Sequence, residues 1–174
     1  MTSISPTRTT QALALVKTAV FFAIVPSTVA GYFPYWLLGA PSIPPVAEFG
    51  LPQWAGAALF VLGAAGLLWC GWNFAVVGLG TPAPFDAPKR LVVRGPYRWV
   101  RNPMYVAVGT ALIGESLFFR TTLLLPYLGF FGLILHLFVL LYEEPTLREK
   151  FGPDYEAYCR QVWRWIPLPP RKPT

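Results

Sequence analysis

The chain has 174 residues, of which 55% are hydrophobic and only 13% are charged, and its mean hydropathy is +0.48. Soluble domains usually contain about 25% charged residues, so this composition excludes an ordinary water-soluble protein and indicates one integral membrane domain over residues 1–174. The net charge of +6 comes from basic residues that flank apolar runs, which is typical of a membrane surface and not of nucleic-acid binding. One histidine and two distant cysteines favour neither a metal site nor a disulfide bond.

The first apolar segment covers residues 10–38, and about 20 apolar residues are enough to cross a bilayer. Pro26 lies inside it and predicts a kink or a tilt. A cleaved signal peptide with small residues at 27–30 is an alternative for its first part. The segment continues into aromatic residues, which favours a retained helix with an interfacial belt: Tyr32, Phe33, Tyr35 and Trp36.

Three further apolar segments follow at residues 51–77, 103–119 and 122–142. Small residues in the second of these permit close contact with another helix, although incidental glycines are an equal alternative: Gly56, Gly63, Ala64 and Gly66. Pro103 suits the first turn of the third segment, where its missing N–H costs little. We therefore expect an all-α integral membrane fold with four transmembrane helices and a cytoplasmic, amphipathic C-terminal helix.

Basic residues are concentrated in the polar loop 78–102 and in the chain that follows residue 142. The loop contains Lys89, Arg90, Arg94, Arg98 and Arg101, and the C-terminal part contains Arg148, Lys150, Arg160, Arg164, Arg171 and Lys172. Only Arg120 lies between the third and fourth apolar segments. The positive-inside rule therefore places both termini, the loop and the tail in the cytoplasm, and we expect a bacterial inner-membrane protein.

The tail, residues 143–167, predicts an amphipathic helix because apolar residues recur at spacings of three and four: Leu147, Phe151, Tyr155, Tyr158 and Val162. Gly152-Pro153 predicts a break in this helix. Trp163, Trp165 and Ile166 suit the membrane interface. A helix that only lies on the lipid headgroups is the alternative.

Glu143 and Glu144 are predicted to end the last membrane helix, where adjacent carboxylates repel each other and oppose the helix dipole. Successive helical side chains point about 100° apart, so we expect Glu143 to face the helix bundle and Glu144 to face water. A buried carboxylate at the membrane edge needs a partner, such as an arginine of residues 94–101 or a cationic ligand. Two solvated carboxylates are the alternative.

His136 precedes Glu143 by seven residues, about two helical turns, so the two lie on nearly one stripe. A histidine inside a membrane segment indicates a functional site. The simpler interpretation, which we favour, is a hydrogen bond to a neighbouring helix, and it applies equally to Asn73.

Two sequence blocks resemble the membrane methyltransferases of the isoprenylcysteine carboxyl methyltransferase and phospholipid methyltransferase superfamily. The first block, Gly95-Pro96-Tyr97-Arg98 with Arg101-Asn102-Pro103-Met104-Tyr105, is similar to the pattern G-x-Y-x-x-x-R-H-P-x-Y. The second, which begins at Glu143-Glu144 and closes on Pro167, is similar to E-E-x-x-L-x-x-x-F-G-x-x-Y-x-x-Y. Order, spacing and membrane context agree over residues 95–167.

The resemblance implies an enzyme that binds S-adenosylmethionine on the cytoplasmic side and methylates a hydrophobic or membrane-embedded acceptor. The acceptor classes are an isoprenylcysteine carboxylate, a phospholipid amine, and a small thiol or lipid. The expected catalytic residues are Glu143 and Arg101. The expected cofactor-binding residues, to which we add His136, are Gly95, Tyr97, Arg101, Asn102, Tyr105, Glu143, Glu144, Tyr155 and Tyr158. Two positions depart from the pattern, since Asn102 replaces a histidine that can carry charge and Gln161 replaces a frequent arginine.

The residue chemistry is compatible with this cofactor, because arginines of residues 94–101 suit its carboxylate and aromatic side chains attract its sulfonium cation. Two alternatives stay open. One is a membrane reductase that uses a nicotinamide cofactor. The other is a non-catalytic membrane protein whose basic loop binds anionic lipids.

Overall fold

The computed structural model describes residues 8–41, 43, 48–78 and 90–170, and the regular structure in these ranges is helical. The helices are α1 Arg8–Ser27, α2 Phe33–Leu37, α3 Leu51–Asn73, α4 Pro103–Phe118, α5 Leu124–Phe138 and α6 Glu144–Gln161. Three π-helical turns extend α1, α3 and α5 at Thr28–Tyr32, Phe74–Gly78 and Val139–Glu143, and Gly95–Arg98 is a short 3₁₀ helix. The predicted all-α class is confirmed, while Lys89 and most of the loop that precedes it lie outside the described residues.

Three helical segments of the described chain are long and apolar enough to cross a membrane: Leu15–Leu37, Leu51–Gly78 and Leu124–Gln161. Helix α4 is apolar but has only 16 residues. Its length is about 24 Å at 1.5 Å per residue, which is less than the roughly 30 Å of a bilayer's hydrocarbon core. The fourth crossing therefore stays a prediction.

The first membrane segment is kinked just after Pro26, as predicted. Ala30, in the π-helical turn that follows α1, has non-helical backbone angles of φ −108° and ψ 17°. The bent segment packs into the bundle, since the Tyr127 hydroxyl donates a hydrogen bond to the Val29 carbonyl at 2.9 Å. The π-helical turn that follows α1 thereby contacts α5.

Helices α3 and α4 approach each other so closely that side chains cannot fit between their backbones. A Cβ atom on Gly63 would lie 2.6 Å from the carbonyl oxygen of Ala107, and one on Gly56 would lie 2.6 Å from that of Gly114. A Cβ atom on Gly114 would in turn lie 2.6 Å from the Phe60 nitrogen. Of the two alternatives for the small residues of the second segment, the structure shows the close helix contact.

The last membrane helix does not end at the two glutamates, so that prediction is wrong. The amide of Glu144 donates to the carbonyl of Val139, and this π-helical turn carries α5 directly into α6. The turn accommodates one extra residue while the flanking backbone stays helical, so Glu144 becomes the first residue of α6. The predicted break in the tail is confirmed, because Gly152 has φ 49° and ψ −126°.

Helix α6 folds back onto the segment that precedes α4. Its apolar face forms a small core of Tyr155, Tyr158 and Val162, packed against Leu91, Leu147, Phe151 and Cys159. The Tyr158 hydroxyl donates to the Tyr97 carbonyl at 2.7 Å, and the Arg101 amide donates to the Trp163 carbonyl at 2.8 Å. The predicted amphipathic helix is confirmed, and its apolar face is covered by protein.

We expect Gly63→Ala to lower the stability of the helix pair, because the added methyl group would meet backbone atoms of α4 that cannot move alone. Overpacking of this kind costs about 1–3 kcal/mol. The measurement is the thermal unfolding midpoint in detergent. Gly129→Ala on α5 is the matched control, since nothing lies within 4 Å of its added Cβ atom. An unfolding midpoint of Gly63→Ala at or above that of the wild type would contradict the packing.

Candidate functional site

The most connected charge in the described chain is the carboxylate of Glu144, which is only 2% exposed. Arg164 contacts both of its oxygens, with Nε 2.6 Å from Oε1 and Nη2 3.1 Å from Oε2. Arg101 Nη1 lies 3.1 Å from Oε1, and Arg148 Nη2 lies 3.4 Å from Oε2. We call these four residues the Glu144 cluster. The expectation that Glu144 faces water is wrong, because the folded-back tail covers it with arginines.

Each member of the Glu144 cluster is positioned by the local backbone. Glu144 is the first residue of α6, and Arg148 follows one helical turn later on the same side. Arg101 ends the loop just before Pro103 starts α4. Val162 has extended backbone angles, so the chain leaves α6 and turns Arg164 back onto Glu144. The hydrogen bond to Glu144 raises the pKa of Arg164 above its ordinary value, so its guanidinium stays charged.

Glu143 lies in a different environment from its neighbour. Its Oε2 accepts a hydrogen bond from the Tyr105 hydroxyl at 3.1 Å. Within the described ranges, no ion pair to Glu143 is present, whereas Glu144 has three. A partly buried carboxylate with a tyrosine as its partner attracts a cation. The expectation that Glu143 faces the bundle agrees with its contact to α4.

A cavity of about 290 Å³ lies between α4 and α5, next to the Tyr105–Glu143 hydrogen bond. Apolar residues of both helices line it together with Tyr105, His136 and Trp165. The Trp165 indole donates to His136 Nδ1 at 3.1 Å, and the Tyr105 and Trp165 rings are 6.3 Å apart. We call this space the α4–α5 cavity. Tyr105 both forms part of its wall and holds Glu143, so an apolar cavity adjoins a polar site.

Asn102 and the tail tyrosines hold the tail in place. Asn102 is 7% exposed, and its Nδ2 donates to the Arg164 carbonyl at 3.1 Å. Tyr155 and Tyr158 belong to the small core under α6. These three predicted cofactor residues therefore position the backbone around Arg164.

Arg101 contacts more than the Glu144 carboxylate. Its Nη1 also donates to the Cys159 sulfur at 2.8 Å, while its buried Nε has no hydrogen-bond partner among the described residues. The Arg101 guanidinium therefore joins the Glu144 carboxylate to the Cys159 thiol of α6.

The structure places Tyr97 in the protein interior and Gly95 against the Asn73 side chain. Gly95 has φ +58°, and a Cβ atom on it would lie 2.7 Å from Asn73 Nδ2, so only glycine fits. Tyr97 is 7% exposed, and burial, together with the adjacent Cys70 thiol, raises its pKa well above the ordinary value. The hydroxyl of Tyr97 is therefore protonated, and neither residue lies in the Glu144 cluster.

The hydrogen bonds expected for the two polar helix residues differ from the prediction in their partners. His136 bonds to Trp165 of the tail, and not to a neighbouring helix. Asn73 Nδ2 donates to the Trp69 carbonyl one turn earlier in its own helix.

Sequence reasoning missed the contribution of Arg164, Trp165 and Cys159 to the site. The positive-inside pattern indicates only a surface charge for Arg164, and the aromatic pattern indicates only an interfacial position for Trp165. The one usable signal was the need of a buried carboxylate for a cation. That signal does not identify Arg164, which is 20 residues away from Glu144.

The model of the phospholipid methyltransferase family matches residues 51–154, which is more than half of the chain. The chain belongs to this family. The superfamily indicated by the two motif blocks is therefore confirmed, and it comprises methyltransferases that act on membrane lipid-type acceptors. No curated protein and no solved structure matches the chain. Arg164 and Trp165 lie beyond the matched region, so their part in the site rests on the geometry alone.

We expect Glu144→Gln to destabilise this methyltransferase far more than Arg148→Gln does. Removing one partner of a buried ion pair costs about 3–5 kcal/mol, and the Glu144 side chain is 3% exposed. Arg148 is 45% exposed, and exposed pairs contribute less than about 1 kcal/mol. Unfolding midpoints of both variants in the same detergent measure the difference. Equal midpoints would mean that the Glu144 cluster does not hold the tail.

Proposed function

We propose that the protein transfers a methyl group from S-adenosylmethionine to a hydrophobic, membrane-embedded acceptor. The acceptor classes are an isoprenylcysteine carboxylate, a phospholipid amine, and a small thiol or lipid. The observation that carries the proposal is the pair of unequal carboxylates beside an apolar cavity, since Glu143 has a tyrosine partner and Glu144 has three arginines.

The charges around the two glutamates are complementary to the amino-acid end of S-adenosylmethionine. Three guanidiniums surround one carboxylate in the Glu144 cluster, so the cluster has a net positive charge that suits the cofactor's carboxylate. Glu143 lies next to this cluster and supplies a negative charge for the cofactor's ammonium or sulfonium group. The residues present therefore fit this cofactor, which supplies an activated methyl group when it is bound.

The chain's own contribution to the reaction is position and environment. Tyr105 holds the Glu143 carboxylate at the edge of the α4–α5 cavity, so a cation bound to Glu143 lies beside apolar walls. Methyl transfer is an in-line displacement, in which fixing the donor and the acceptor in one geometry lowers the barrier. The apolar walls exclude water and strengthen the electrostatic contact made by Glu143.

We place this site on the cytoplasmic side, where a soluble cofactor is available. The arrangement of charges along α4 supports this placement, because Arg101 precedes its first residue and Arg120 follows its last. The Glu144 cluster therefore collects three arginines at one end of the bundle, and Arg120 lies at the other.

We expect Glu143→Gln to reduce methyl transfer about 10- to 100-fold while the protein stays folded, because the substitution keeps the shape and removes the charge. The assay uses purified protein, radiolabelled S-adenosylmethionine and total membrane lipid extract. If Glu143 acts on the transition state, turnover falls with little change in KM, and if it only binds the cofactor, the KM for the cofactor rises. Glu156→Gln is the control, since Glu156 is half-exposed and its ion-pair partner among the described residues is Arg148.

Two results of this assay would contradict the proposal. One is the absence of labelled product from wild-type protein that is folded. The other is full activity of Glu143→Gln together with an inactive, folded Glu144→Gln variant. That result would mean that Glu144, and not Glu143, supplies the negative charge for the methyl donor.

A further inference from the structure

The hydrogen bond between Trp165 and His136 fixes which nitrogen of the histidine carries a proton. An indole N–H can only donate, so His136 Nδ1 accepts from Trp165. A neutral imidazole with an unprotonated Nδ1 has its proton on Nε2. Among the described residues, no hydrogen-bond partner is present for this N–H. His136 therefore contributes a hydrogen-bond donor to the wall of the α4–α5 cavity.

The rest of the α4–α5 cavity is suited to an apolar guest. Its volume of about 290 Å³ lies near the lower end of small-molecule sites. Gly132 of α5 lines the cavity and is exposed, and nothing lies within 4 Å of the position its Cβ atom would take. The cavity therefore extends to the lipid-facing surface of the bundle between two helices.

A free N–H in such a cavity determines the chemistry of the ligand. Leaving a polar group unpaired in apolar surroundings is costly, so the preferred ligand brings an oxygen that accepts a hydrogen bond. A phospholipid has two suitable kinds of oxygen, the ester carbonyls and the phosphate oxygens. Both are joined to hydrocarbon chains that match the apolar walls.

We propose that the α4–α5 cavity binds the hydrophobic part of a phospholipid methyl acceptor and that His136, oriented by Trp165, donates its Nε2 proton to an oxygen of that lipid. The proposal rests on the proposed function for the role of the lipid as the acceptor. In this proposal His136 is a positioning residue, because Trp165 and Tyr105 lie between it and Glu143. The reacting group of the lipid then lies toward Glu143.

The first test fills the cavity. The probe is a phosphatidylethanolamine with a photoreactive diazirine in one acyl chain, and crosslinks to purified protein in nanodiscs are mapped by mass spectrometry. We expect crosslinks on the cavity residues of α4 and α5 to fall at least fivefold in Gly132→Leu. Gly129→Leu is the matched control, because Gly129 lies on the same helix, is also exposed, has an equally open Cβ position and does not line the cavity. An equal loss in both variants, or in neither, overturns the proposal.

The second test removes the donor. We expect His136→Phe to weaken binding of the lipid probe about 3- to 10-fold, which is the effect of losing one neutral hydrogen bond. His136→Gln should restore it to within about twofold, because glutamine offers an acceptor to Trp165 and a donor to the lipid. A dialkyl ether form of the probe identifies the oxygen, since the effect of His136→Phe disappears if an ester carbonyl is bound and persists if a phosphate oxygen is bound. Equal retention by His136→Phe and wild type overturns the assignment.

Calorimetry with S-adenosylmethionine on the same samples separates this inference from the proposed function. Gly132→Leu should bind the cofactor with the wild-type Kd, because Gly132 does not contact the Glu144 cluster. A wild-type protein that is crosslinked in the cavity but binds no S-adenosylmethionine would defeat the proposed function, and with it the role of the lipid as acceptor. Cofactor binding without cavity crosslinks would defeat only the inference.

Discussion

The contact between the Glu144 carboxylate and three guanidiniums is the interaction on which the rest of the site depends. Arg101 comes from the loop before α4, Arg148 from α6 and Arg164 from the chain beyond α6. One buried carboxylate thus joins three separate parts of the chain. Because the Glu144 carboxylate is buried, it depends on these cations, since a charge left without a partner inside the protein costs several kcal/mol.

The arginines of the Glu144 cluster neutralise Glu144 and do not pair with its neighbour Glu143 among the described residues. Glu143 is left with a hydrogen bond from Tyr105, and it lies where the polar site meets the α4–α5 cavity. Two neighbouring residues of one type therefore have different environments, and the proposed function gives the ligand-binding role to Glu143. The same division explains why a membrane enzyme can keep two acidic residues at the edge of a bilayer.

Features with a local physical cause could be predicted from the sequence. The kink after Pro26, the close contact at Gly63 and the break at Gly152 each follow from one residue's backbone or size. The burial of Glu144 could not be predicted, because it depends on a π-helical turn that continues the helix and on an arginine 20 residues away. The burial of the Tyr97 side chain could not be predicted either, because its position within the motif does not distinguish a core residue from a site residue.

The central claim is that the Glu144 cluster and Glu143 together bind S-adenosylmethionine. The most direct measurement is isothermal titration calorimetry of the purified protein with S-adenosylmethionine and, separately, with reduced nicotinamide dinucleotides. The account predicts saturable binding of S-adenosylmethionine and no binding of the nicotinamide cofactors. Binding of a nicotinamide cofactor, or of neither ligand by folded protein, would contradict it.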